Sequence, residues 1–271
     1  NDPTKRYYYT LLFGDKYRVK IATRNVNIPG IQNFRDLGGY PSYPGKKQMR
    51  WGMIYRSAEI DSLEYCSRRE LKNLGIKTLI DLRTPSEIGR QSPLQKGFNV
   101  VHIPLATGDM EDILQGIREE KIKCDTVYRM VERMNRTLID KYTKEYRQIF
   151  DILLDKTNYP VVIHCSSGKG RTGIVSALVL AALGVNEDII MEDYRLSNDY
   201  FNIPRASKYA YRLPTRSQEA ITTLFSARED FLNAAKDEAE RKYGDMDTYL
   251  QKGIGLSKDE IKRLRSILLS D

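Results

Sequence analysis

The chain has 271 residues, 41% of them apolar, enough for a sizeable core in one large domain or two small ones. Three cysteines (Cys66, Cys124, Cys165) are too few and too scattered for a disulfide framework. The two histidines, His102 and His164, leave little material for a metal site. A net charge of +8 suits an anionic substrate, but the bases are interspersed with acids, not gathered in a tract, which speaks against nucleic acid as partner. The longest apolar run, Ile174 to Val185, is too short to cross a bilayer. A start at Asn1-Asp2-Pro3 without methionine points to a removed leader or upstream segment, so the sequence leaves cytoplasm and export both open. It sets no oligomeric state.

In chain order, residues 6–23 read as a β-hairpin, two β-prone runs flanking Gly14-Asp15. Residues 1–28 are therefore expected to form an extension, and 29–271 the main domain. Asn33 to Tyr40 is rich in turn formers, and its Arg35 and Asp36 are expected to pair. Met53 to Tyr55 is strand-like and leads into Arg56-Ser57-Ala58. Ser67 and Glu70 have the spacing of a capping box before a helix that stops at Gly75. Ile76–Leu82 and Val100–Leu105 read as strands, and Thr126–Leu154 as one or two helices between the latter and a strand at 161–164. Strands alternating with helices predict an α/β fold with a mainly parallel central sheet flanked by helices. In such sheets the functional crevice lies at the carboxyl ends of the strands. That rule lines up Asp81 and Arg83 with Asp109, Glu111 and Asp112, and with Cys165. Further on, Glu187–Tyr200 is helical, Asn202–Pro214 is a basic and aromatic flap or connector, and Ser217–Tyr243 is an amphipathic helix. Ser257 and Glu260 form a second capping box, opening a terminal helix.

Residues 161–173 carry the chemistry. The β-branched run Val161 to Ile163 ends in His164-Cys165, passes a tight loop with Gly168 and Gly170, and enters the apolar stretch from Ile174 to Leu183. In such a strand–loop–helix the amides of Ser166, Ser167, Gly168, Lys169 and Gly170 and the helix dipole converge on a point that suits a phosphate. A thiolate at Cys165 is favoured by the dipole and nearby cations, and Arg171 can hold two phosphate oxygens in its planar fork. Together these describe nucleophilic phosphoryl transfer, with no cofactor required. Two other readings fit parts of the stretch. Gly168-Lys169-Gly170-Arg171-Thr172-Gly173 is formally a dinucleotide-binding pattern with Glu192 and Asp193 about 20 positions on, but the second strand of a βαβ unit is missing. A buried structural thiol would not require two glycines and an arginine beside it.

His164-Cys165, five further residues and Arg171-Thr172 resemble the signature loop of the cysteine-dependent protein tyrosine phosphatase superfamily. Residues 33–39, Tyr55 to Glu59, Leu74 to Arg83 and Tyr243 to Leu250 are similar to its bacterial broad-specificity branch. The resemblance runs from about Asn33 to Leu269. It implies a tyrosine-phosphatase-like fold, attack by Cys165 to give a phosphocysteine, phosphate binding by Arg171, and stabilisation of the departing sulfur by Thr172. It also implies a phosphorylated protein, an inositol phosphate or a phosphoinositide as substrate. Many bacterial members carry an aspartate inside the loop where this chain has Gly170, so the general acid must come from elsewhere. Asp109 is the first expectation, on the loop after the preceding strand, and Asp81 the second. Lys169 matches half of the lysine pair that contacts extra phosphates in the tensin-like phosphoinositide phosphatases. The remaining alternative is a phosphate-binding module without turnover.

Overall fold

The computed structural model describes residues 5–44, 46–61, 63–88, 97–108, 110–206 and 210–270. Its centre is a five-stranded sheet in the order β3 (Arg35–Asp36), β6 (Ile54–Ser57), β9 (Val161–His164), β7 (Thr78–Asp81), β8 (Asn99–His102). The last four are mutually parallel, and only the edge strand β3 runs antiparallel. The mainly parallel sheet read from the sequence is therefore present. Ser57, His164, Asp81 and His102 are level in the register, so four strands end along one line. The loop after His164 leaves from its middle.

Helices cover both faces. Val161 and Ile163 point into a large core and Val162 into a smaller one, the alternation expected of a central strand buried on both sides. The larger core is closed by α3 (Met110–Arg118), α4 (Cys124–Lys141), α5 (Thr143–Leu153), α6 (Gly170–Ala182), α7 (Glu187–Arg195), α10 (Thr215–Phe225), α11 (Glu229–Tyr243) and α13 (Lys258–Leu268). The smaller one lies under α1 (Tyr65–Asn73), where Leu71 packs with Ile28, Phe34, Tyr55 and Leu79. Short helices α2 (Pro85–Ile88), α8 (Ser197–Tyr200), α9 (Ile203–Ala206) and α12 (Met246–Thr248) fill the connections. A small sheet joins β4 (Pro41–Ser42) and β5 (Lys47–Met49) to the C-terminal β10 (Leu269–Ser270). Among the described residues no helix is long and apolar enough to cross a membrane.

The N-terminal hairpin forms as expected, from β1 (Tyr9–Phe13) and β2 (Tyr17–Ile21), turning at Gly14 with φ +60°. Tyr9, Leu11 and Phe13 pair across from Ile21, Val19 and Tyr17, giving one uncharged face. After the hairpin, Arg24 donates to the carbonyls of Asp36 and Gly38, and Ile28 is buried.

Three local expectations are corrected. Ser67 does not cap α1, which begins at Tyr65; inside the first turn its hydroxyl donates instead to the Pro29 carbonyl, 2.5 Å away. Ser217–Tyr243 is two helices, broken at Ser226, whose extended backbone ends α10. Arg35 and Asp36 do not pair, because adjacent residues of β3 face opposite ways. Arg35 reaches Asn33 and the carbonyl of Asp193, while Asp36 takes Arg6 and the amides of Gly38 and Gly52. The capping box at Ser257 and Glu260 forms as expected.

Candidate active site

The loop from Cys165 to Arg171 is shaped from outside. Its carbonyls are bound by groups the sequence does not advertise: Ser166 by the amide of Glu59 (3.1 Å), Ser167 by Asn33 Nδ2 (3.1 Å), Gly168 by Arg56 Nη2 (2.7 Å) and Asn33 (3.2 Å). In a trans peptide the next N–H points opposite to the C=O. The amides of Ser167, Gly168 and Lys169 therefore turn to the inside of the loop, above the N-terminus of α6. Gly168 is required twice over, by φ +68° and because a Cβ there would lie 2.4 Å from the Ser57 carbonyl. Gly170 is not: a Cβ would meet open space.

Beneath the loop, Arg56 and Arg35 meet the carboxylate of Asp193. Arg56 Nη1 lies 2.8 Å from Oδ2, the Tyr40 hydroxyl donates to Oδ1 at 2.7 Å, and Arg35 Nε stands 3.8 Å away. All four side chains are buried. Burial opposes the charge of Asp193, yet the two guanidinium groups hold its carboxyl below the ordinary carboxylate range. This counts against the dinucleotide reading: of the two acids assigned to a ribose, Asp193 is locked inside the fold and Glu192 lies on α7. No strand follows α6 before α7.

Cys165 is buried at the end of β9, and the Thr172 hydroxyl donates to its sulfur at 3.1 Å. The Arg171 guanidinium is fixed by a bidentate pair with Glu87 (2.7 and 2.6 Å) and by the carbonyls of Leu105 (3.0 Å) and Leu82 (3.4 Å). Ser166 Oγ donates to the same carboxylate at 3.0 Å. Partial burial resists the charge on Glu87, but Arg171, Thr84 and Ser166 together hold its carboxyl down at about 2. An open cleft of about 550 Å³ faces this group. Ser166, Ser167, Arg171, Glu59 and Glu87 form its polar side, and Ile31, Met110, Phe201 and Phe225 its apolar walls.

Other expected site residues are placed differently. His164 is buried below the loop, 3.9 Å from Asp81, and burial lowers it to about 4, so it is neutral and does not line the cleft. Asp81 is buried and bonded to Arg83 at 3.0 Å through Oδ2 and 3.1 Å through Oδ1. Burial opposes its charge, but Arg83 and His164 lower its pKa, which is the wrong direction for a proton donor at neutral pH. Lys169 turns away from the cleft into the core. Its Nζ donates to the carbonyls of Leu224 (2.5 Å) and Ser226 (2.9 Å), and burial lowers it to about 7. It ties the loop to the break between α10 and α11. Asp109 lies outside the described residues, as do Lys208 and Tyr209 of the expected flap; Glu111 and Asp112 sit in the first turn of α3. Among the described residues no cluster of His, Cys, Asp or Glu could hold a metal ion.

Neither Glu59 nor Glu87 is singled out as a site residue in the sequence, where Glu59 only closes the Tyr55 to Glu59 similarity. Glu87 had a signal: Thr84-Pro85-Ser86-Glu87 has the spacing of a capping box with proline at the first helical position, and the Thr84 amide does donate to the Glu87 carboxylate at 2.7 Å.

A buried cysteine at the floor of an anion cradle, a hydroxyl on its sulfur and an oriented arginine at the rim define a cysteine-dependent phosphatase. Residues 26–270 match the model of a tyrosine phosphatase family, and the chain belongs to that family. It is 28% identical to the triple specificity protein phosphatase PtpB of Mycobacterium tuberculosis, over 89% of this chain and 98% of that one. It is 27% identical to a tyrosine-protein phosphatase of Nostoc commune, over 78% and 72% of the two chains. A shorter match, 39% identical over 49 residues, covers 18% of this chain and 25% of an inositol diphosphatase of Arabidopsis thaliana.

Proposed function

We propose that the enzyme hydrolyses phosphotyrosine in proteins and also accepts inositol phosphates or phosphoinositides, through a phosphocysteine at Cys165. The carrying observation is the 3.1 Å contact from the Thr172 hydroxyl to Cys165 Sγ, at the floor of a loop rimmed by Arg171. In the first step the thiolate attacks phosphorus. Arg171 and the inward amides hold the three equatorial oxygens as charge builds on them. In the second, water attacks the phosphocysteine and Thr172 stabilises the sulfur as it leaves. Both steps also move a proton, which neither Cys165 nor Arg171 can supply.

The substrate range is supported by the relatives, one named for triple specificity and another for inositol diphosphate, and by the cleft itself. Ile31, Met110, Phe201 and Phe225 offer apolar walls to a phenyl ring, and the openness of the mouth with a net charge of +8 admits a larger anion. The test is phosphate release by wild type and Cys165→Ser. Substrates are a phosphotyrosine peptide, a phosphoserine peptide, mono- and tris-phosphorylated phosphoinositides, and inositol hexakisphosphate. Release from the first and from at least one inositol compound, lost in the variant, is expected. Turnover surviving in Cys165→Ser, or none on any substrate, would overturn the reading.

A further inference from the structure

We propose that Glu59 is the proton carrier of this reaction, giving a proton to the leaving oxygen and then taking one from the attacking water. The proposal rests on the phosphocysteine reading above and supplies the group that reading lacks. Glu59 follows β6, the strand beside β9, and so stands at the carboxyl end of the sheet next to the catalytic loop. Its amide donates to the Ser166 carbonyl at 3.1 Å, which fixes its main chain one residue from Cys165. Among the described residues lining the cleft there are two carboxylates, Glu59 and Glu87. Glu87 is spent on Arg171 and stays ionised. Among the described residues the cation that pairs with Glu59 is Arg83, at 3.7 Å, and Arg83 is itself bonded to Asp81 and Asp61. The Glu59 side chain is 55% exposed; loss of water on its inner side, with Asp61, Glu87 and Asp81 around it outweighing Arg83, raises its carboxyl above the ordinary glutamate value. A proton donor for neutral-pH chemistry needs a shift of that sign.

The steps balance. As sulfur bonds to phosphorus and the P–O bond of the ester breaks, the carboxylic acid passes its proton to the departing oxygen and an alcohol or phenol leaves. The resulting carboxylate takes a proton from water while the water oxygen bonds to phosphorus. The S–P bond then breaks to give inorganic phosphate, the Cys165 thiolate and protonated Glu59.

The experiment compares wild type, Glu59→Gln, Glu59→Asp and Asp109→Asn on a phosphoserine peptide and on p-nitrophenyl phosphate, whose leaving group needs little protonation. Acid-quench trapping of phosphocysteine is run on each. Glu59→Gln is expected to lower kcat on the peptide by about 10²- to 10⁴-fold. The loss on p-nitrophenyl phosphate should be clearly smaller, the basic limb of the pH profile should vanish, and phosphocysteine should accumulate. Glu59→Asp should keep the limb. Equal losses on both substrates, an unmoved pH profile in Glu59→Gln, or transfer of the whole pattern to Asp109→Asn would overturn the assignment. Failure of wild type to form any phosphocysteine would instead overturn the cysteine mechanism beneath it.

Discussion

Glu87 grips Arg171 across the Nη1–Nη2 edge of the guanidinium, with bonds of 2.7 and 2.6 Å. The Nε side of the fork is thereby left for phosphate, and the carbonyls of Leu82 and Leu105 stop the guanidinium plane from turning. Glu87 is thus a positioning residue. Glu87→Gln keeps the shape but removes the charge and one of the two matched acceptors. A misplaced guanidinium lowers kcat/KM by about 100-fold. Alkylation of Cys165 by iodoacetamide, a neutral reagent that does not need an oriented Arg171, should proceed at a similar rate. Loss of alkylation together with turnover would mean that Glu87 holds the whole loop instead.

Much of this was legible beforehand, and the reasons differ by element. The strand from Val161, the glycine loop and the apolar helix after it announce themselves because each is built from neighbours in sequence. The parallel sheet followed from the alternation of such segments. The groups that shape the loop from outside, Asn33, Arg56 and Glu59, lie more than 100 residues away, and spacing rules carry no information at that range. Lys169 misled for a related reason. A lysine inside a phosphate loop points to the ligand by analogy, but here the carbonyls freed by the end of α10 were the nearer acceptors. Ser67 misled because α1 starts two residues before it, with no side-chain cap at all.

Lys169 gives a stability signature with a definite sign. Its pKa is lowered from 10.5 to about 7 in the fold. Between those values the unfolded chain holds a proton that the folded chain does not, so stability rises as pH climbs from 7 towards 10. Below 7 the cost of burying the charge is present in full. As a neutral amine it has two N–H groups for two carbonyls, which is the geometry observed. In Lys169→Met this rise in the urea midpoint should disappear. The ratio of activities on mono- and tris-phosphorylated phosphoinositides should stay within about twofold of wild type, because the Lys169 side chain points into the core and does not line the cleft. A selective loss on the tris-phosphorylated lipid would return Lys169 to the substrate.

Gly170 is the place to restore what many bacterial relatives carry. A Cβ there meets no atom within 4 Å, and the position opens α6, so Gly170→Asp should fold and gain about 0.3–1 kcal/mol from the helix dipole. In a Glu59→Gln background the new carboxyl should recover turnover of the phosphoserine peptide and bring back a basic limb in the pH profile. Recovery on p-nitrophenyl phosphate alone would show that the aspartate acts on phosphate binding and not on the proton.

The deepest dependence of the site is on a residue that never meets the substrate. Asp193 is the counter-charge for Arg35 and Arg56, both wholly buried, and Arg56 in turn holds the Gly168 carbonyl at 2.7 Å. Asp193→Asn keeps the volume and leaves two cations in the core without an anion. Removing one partner of such a buried pair costs about 3–5 kcal/mol, against a total stability of about 5–15 kcal/mol for a typical domain. The urea midpoint should drop accordingly. Activity should fall further than the unfolded fraction explains, because the loop loses its outer clamp while the rest of the sheet persists. Arg56→Met in the same background removes one of the orphaned cations and should recover part of the stability but none of the activity. Full recovery of both would show that Asp193 serves only the core, and that the loop keeps its shape through Asn33 and the amide of Glu59.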